Sequence, residues 1–169
     1  MRAIRDVAVR PLSVPLIDPF VRATARMDGT RAALVAVTLD DGSIGLGESA
    51  ALPPVTREDQ PDLLRSIEAA AASLVGAGLT PGGDVTEELR SHLDPLFPDA
   101  PVARAGVETA ILDALSRARG TSLRALIGGE IGASTRTLLT DVTIPIHAPE
   151  TMARLARAWR ARGFDVFKI

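Results

Sequence analysis

The tightest constraint on the fold lies at the end of the chain. Leu138 to Ile169, LLTDVTIPIHAPETMARLARAWRARGFDVFKI, reads as strand, helix, strand. In the first strand, period two places Val142, Ile144 and Ile146 on one face and Asp141 and Thr143 on the other. Pro145 argues that pairing ends near it. Pro149 suits a first helical turn, and Glu150 follows at the positive end of the helix dipole, although Ala148 is a poor N-cap. Met152, Leu155, Ala156 and Trp159 make one apolar stripe, with Arg154, Arg157 and Arg160 largely off it, and Gly163 closes the helix. Two strands joined by a crossover helix must run parallel, which predicts a βαβ unit. Its apolar strand positions should lie under the helix, and its polar positions should face the inside of a sheet or barrel.

Lys168 falls on such an inward position, sharing a face with Val166. It is the only lysine in the chain, against eighteen arginines. An arginine would serve equally well as a surface charge. A lysine can also exchange a proton near neutral pH when burial or a nearby cation disfavours its charge. A solvated amine placed by chance is the plain alternative, and the buried-strand pattern favours the functional one.

The first part of the chain follows a different grammar. Arg2 to Val9 alternates like a short strand, and Pro11 and Pro15 follow in an extended connection. Residues 18–30, DPFVRATARMDGT, have neither period and read as a loop carrying Arg22 and Arg26, each a possible anion contact or simply solvated. Ala32 to Leu39, the turn Asp40-Asp41-Gly42, and Ser43 to Glu48 form the clearest hairpin. Gly45 and Gly47 on its return strand suggest that another backbone packs closely there. GSIGLGE lacks the Lys-Ser/Thr of a phosphate loop and does not open a helix, so that reading is rejected.

Helical spacing then predicts helices over Gln60–Val75, Thr86–Leu93, Ala103–Arg119 and Ser122–Ile127, punctuated by glycines and Pro95. Glu108 and Asp113 have no His or acidic partner at metal-ligand spacing and read as surface charges; His92 and His147 read as solvent-facing or structural. The expected fold class is therefore an α+β N-terminal domain, a three-stranded antiparallel sheet plus a helical bundle, followed by the first β-α-β of a truncated β/α barrel. The expected domains are 1–127 and 137–169, with 128–136 as linker.

Composition sets outer bounds. The net charge is −2, and no basic patch with interleaved aromatics suggests nucleic acid. No apolar run is long enough to span a bilayer, and the N-terminus has no signal-peptide pattern. Cysteine is absent, which removes disulfides and thiolate metal sites; a cytoplasmic protein is the expectation.

Several strings together resemble the enolase superfamily, muconate-lactonizing subgroup: VPLIDPF, the DDGSIGLGE hairpin, ARAGVETAILDALSRARGTSLRALIGG, and RGFDVFKI. Within it, TDVTIPI followed by a Pro-Glu helix start is most similar to dipeptide epimerases of the Ala-Glu type. The resemblance implies a capping domain over the mouth of a modified β/α barrel, and abstraction of a proton α to a carboxylate. It implies Mg²⁺, with acidic ligands expected beyond Ile169, and Lys168 as the first lysine of a Lys-x-Lys strand, whose second would follow Ile169. Lysines on opposite faces of the carbon would exchange its proton. Thr143 would lie in the substrate pocket. Ungapped matching puts the family's loop arginine at Ala25, and Arg26, one place on, is the candidate for that role.

Further implied are a dipeptide or acyl amino acid as substrate and an assembly of identical chains, with the 169 residues alone inactive. The rivals within the subgroup are o-succinylbenzoate synthase, N-acylamino acid racemase and cycloisomerase, separated by the loop between Phe20 and Thr30. From a different class, a non-catalytic scaffold that keeps only this part of the fold is the alternative.

Overall fold

A computed structural model describes residues 2–23, 25–80, 85–128 and 138–169. They divide into two compact units: Met1–Val14 with Thr30–Ile131, and Pro15–Gly29 with Gly132–Ile169.

The first unit is built on an antiparallel sheet of order β3-β2-β1-β4. Strands β1 (Arg2–Arg22) and β2 (Ala25–Leu39) are long arms, β3 is Ile44–Ala51, and β4 is Gly78–Leu79. The turn into β3 is the expected one, with Gly42 at φ +85° and the Ser43 N–H held by Asp41 Oδ1 at 2.9 Å. That bond leads the causes that lower the Asp41 carboxyl below its ordinary value. Alternation runs along β3 and along β2 from Ala33 onward. Ala33, Val35, Val37 and Leu39 are buried with Gly45, Gly47 and Ser49, while Leu34, Ile44 and Leu46 face outward.

The helices are α1 (Gln60–Leu74), α2 (Val85–Leu93), α3 (Pro101–Ala118) and the single turn α4 (Leu123–Leu126). Leu63, Ile67 and Leu74 of α1, Leu89 and Leu93 of α2, and Val107, Ile111 and Leu115 of α3 join the inner face of β2 in one core. Asp59 caps α1 through a capping box with Asp62, whose carboxyl the Asp59 N–H holds below its ordinary value.

Two expectations need correcting here. The sheet has four strands, because Gly78–Leu79 pairs with Ala3 and Arg2 of β1. A two-residue strand is too short to carry a readable period. Residues 18–22 and 25–30 lie on the arms of a long hairpin, not in an irregular loop: β1 runs to Arg22 and β2 starts at Ala25. The prolines at 11, 15 and 19 hid that strand. They are tolerated because β4 covers β1 only at its first residues, leaving the rest at the sheet edge.

Helix α3 lies directly on β3. A Cβ on Gly45 would collide with Ala114 N and Ala110 O, and one on Gly47 with Gly106 O. Gly106, Ala110 and Ala114 recur every fourth residue, so the helix presents a smooth row to a smooth strand. Ser49 Oγ donates to Ala103 O at 3.3 Å, and the Leu46 N–H on the outer edge of β3 donates to Asp113 Oδ2 at 2.9 Å. Asp113 is therefore more than a surface charge. Burial pushes its carboxyl up, but the Leu46 N–H and the Arg117 guanidinium outweigh that and hold it below the ordinary value.

The N-terminus of α3 has no cap of its own, since Ala100 offers no side-chain acceptor. Glu58, only 6% exposed, supplies one from the loop before α1. Its two oxygens accept the N–H groups of Val102 and Ala103, each at 2.9 Å. Glu58→Ala should leave both donors unmet and destabilise the fold by about 2 kcal/mol. Glu58→Gln, with only one acceptor oxygen, should fall between, as read from urea unfolding midpoints.

The second unit contains one parallel βαβ: β5 (Val142–Thr143), α5 (Pro149–Arg160) and β6 (Phe167–Lys168). The half-buried stripe of α5 contains Met152, Leu155, Ala156 and Trp159, as expected. Trp159 meets Phe164 edge-on at 5.4 Å and carries the Arg162 guanidinium over its face. Gly163, at φ +95°, ends the helix. Pairing is shorter than the expected strands because only Val142–Ile144 meets the second segment. The hairpin end, Pro15–Gly29, clusters with this unit. Of the expected linker 128–136, all but Gly128 lies outside the described residues. No described helix is long and apolar enough to cross a membrane.

Candidate active site

Parallel pairing fixes which side chains stand together. The Val142 N–H donates to Val166 O at 3.0 Å and the Ile144 N–H to Lys168 O at 2.9 Å, which registers Thr143 with Lys168 and Val142 with Phe167. Residues in register on parallel strands point the same way. Val142 and Phe167 are half-buried and Ile144 is buried, whereas Thr143 and Lys168 are both exposed. Val142, Ile144 and Phe167 thus take the covered face, and a hydroxyl and an ammonium stand side by side on the other.

Among the described residues β6 has only β5 as a neighbour.

The hairpin end reaches the same segment. The Ile146 N–H donates to Val21 O at 2.9 Å, tying the last residues of β1 to the chain just beyond Thr143. Arg26 is exposed, with its Nε donating to Asp28 Oδ1 at 3.2 Å. Ala25, Met27 and Gly29, at the alternate positions of β2, are half-buried. A shift of one residue along a strand reverses the face. Arg26 therefore points opposite to Ala25, the position the family pattern marks. Arg22 on the neighbouring arm is half-buried.

No three carboxylate or imidazole groups converge among the described residues. The described side chains do not form a Mg²⁺ site. Glu108 pairs with Arg104 at 2.8 Å, and His92 Nδ1 lies 2.8 Å from Glu88 O, so both have structural partners.

An antiparallel sheet with helices on one face, followed by a parallel βαβ unit, defines a capping domain joined to the start of a β/α array. Residues 4–128 match the mandelate racemase / muconate lactonizing enzyme N-terminal domain, and the chain belongs to that family. An L-Ala-D/L-amino acid epimerase of Populus trichocarpa is 37% identical over 95% of the chain. An aromatic dipeptide epimerase of Herpetosiphon aurantiacus is 33% identical over 98%. The chain spans 37% and 44% of the lengths of these two relatives. In fold, 98% of the chain and 44% of a Herpetosiphon aurantiacus mandelate racemase/muconate lactonizing protein superpose with a TM-score of 0.82 at 30% identity. A dipeptide epimerase from Enterococcus faecalis, solved with Mg and the dipeptide L-Leu-L-Tyr, superposes with a TM-score of 0.84 over 99% of the chain and 45% of its own; at 24% identity it bears on the fold alone.

Sequence reasoning singled out Lys168 as the lone lysine on an alternating strand, and Thr143 only through the family resemblance. It missed Glu58 and Gln60, whose partners are 28 to 48 residues away in the chain. The only local signal was a run of polar residues, Glu58-Asp59-Gln60, just ahead of an apolar helix.

Proposed function

We propose that this chain is the substrate-covering part and first barrel segment of an epimerase that moves the proton on the α carbon of a dipeptide's C-terminal residue. The observation that carries this reading is the register of Thr143 with Lys168 on the exposed face of the β5–β6 pair, in a chain of this family. The proton leaves one face of the carbon and returns to the other, so the product is the epimer and nothing else is consumed. Removing that proton puts negative charge onto the substrate carboxylate. Lys168 is assigned to hold that carboxylate with its ammonium, and Thr143 to add a hydroxyl donor beside it. Mg²⁺, which relatives of this fold carry, would add further stabilisation from ligands other than the residues described here. Relatives named aromatic dipeptide epimerase and hydrophobic dipeptide epimerase support a dipeptide over an acyl amino acid.

The test uses protein in which this chain continues through a complete barrel, in D₂O with Mg²⁺. Deuterium uptake at the α carbon is followed by NMR for L-Ala-L-Glu, for dipeptides with apolar or basic C-terminal residues, and for N-acyl amino acids. Uptake with at least one dipeptide and none with the acyl amino acids is expected. No uptake with any dipeptide rejects the proposal.

A further inference from the structure

The two arms of the hairpin leave the first unit at Val14 and Thr30. Just inside that line sits Gln60, the first residue of α1 and only 9% exposed. Its Nε2 donates to Ala32 O on β2 at 2.7 Å and lies 3.2 Å from both Leu12 O and Ser13 Oγ on β1. The Ser13 hydroxyl returns to Gln60 Oε1 at 3.4 Å. A carboxamide has two N–H groups, so one serves β2 and the other is shared between the two groups on β1. One side chain therefore ties both arms to α1 within two residues of where they depart. Its neighbours are also engaged, Glu58 at the start of α3 and Asp59 at the start of α1, so Gln60 has little freedom to move away.

We propose that Gln60, with Ser13, is a positioning residue that sets how the Pro15–Gly29 end of the hairpin is presented, and through it which dipeptides are accepted. This rests on the epimerase reading for its consequence in substrate choice, but not for its mechanical part. At its far end the hairpin is held by the Ile146–Val21 hydrogen bond, beyond Thr143. Freeing the root should loosen that end without touching the groups around Lys168.

Three measurements on protein with a complete barrel test this: hydrogen exchange of the amides in 15–29 and of Ile146, the unfolding midpoint, and α-proton exchange kinetics. Gln60→Leu keeps the bulk and removes both donors. It should speed exchange at those amides about tenfold, a factor equivalent to about 1.4 kcal/mol. The core amides of α3 should be unchanged. KM for the preferred dipeptide should rise about tenfold while kcat stays within twofold, and discrimination between dipeptides should narrow. Ser13→Ala, which leaves Ala32 satisfied, should give the same pattern at roughly threefold, and it carries the test if Gln60→Leu does not fold. Faster exchange spread evenly over the chain, or unchanged exchange in 15–29, overturns the proposal. If exchange in 15–29 rises but no dipeptide is turned over even by the parent protein, the clamp stands and the epimerase reading fails.

Discussion

Gly47→Ala is expected to be among the most damaging single substitutions in the first unit, at about 3 kcal/mol or more. The added methyl would fall on the Gly106 carbonyl oxygen and 2.8 Å from Ala110 N, both backbone atoms that no rotamer change can move. Relief would require α3 to lift from β3, breaking the Ser49–Ala103 and Leu46–Asp113 bonds along the same seam. Ala110 and Gly106 are already as small as the site allows, so no partner can shrink to compensate. Gly42→Ala is the control. It stands at φ +85° with nothing within 4 Å, so it should cost only the left-handed backbone penalty of about 1 kcal/mol. Urea unfolding of both variants gives the comparison; a Gly47→Ala loss no larger than that of Gly42→Ala would mean the two backbones are not in contact.

The Gly45–Leu46–Gly47 alternation was legible because glycine in a strand has few other uses, and its partner row Gly106–Ala110–Ala114 lay within a helix already visible from its apolar stripe. The βαβ unit was legible for the same reason: residues four apart or two apart in sequence decide its faces. What escaped the sequence has a common cause. β1 was cut short because three prolines mask a strand wherever its edge is left unpaired, and that edge depends on how little of β1 β4 covers. The cap on α3 escaped because Ala100 gives no sign of one and the acceptor is 44 residues back. Arg26 drew attention as a charge in an apparent loop. Once 25–39 is a strand, the alternation that identified Lys168 turns Arg26 outward toward Asp28. In the candidate site, periodicity bears on which side chains share a face, as Thr143 and Lys168 do in register, whereas enclosure is a property of neighbouring strands and not of the strand itself.

Lys168→Met tests the chemistry of the Thr143–Lys168 face, with the unfolding midpoint read beside activity to establish that the fold is intact. Removing the ammonium takes away the charge assigned to the substrate carboxylate as it becomes more negative. In protein with a complete barrel, kcat for α-proton exchange should fall by about 10²- to 10³-fold, the loss typical of removing one donor to a developing anion. Lys168→Arg separates charge from shape. A guanidinium keeps the charge but is planar, longer and donates through a fixed fork, so KM should stay within severalfold while kcat recovers only part of the loss. Thr143→Val, which keeps the branched shape and removes the hydroxyl, should cost less than either, about tenfold. If Lys168→Met exchanges the α proton as fast as the parent with folding intact, Lys168 is a surface amine and the Thr143–Lys168 face is not where the reaction occurs. If Lys168→Arg matches the parent, charge alone is needed there, and proton transfer must rest entirely on other groups.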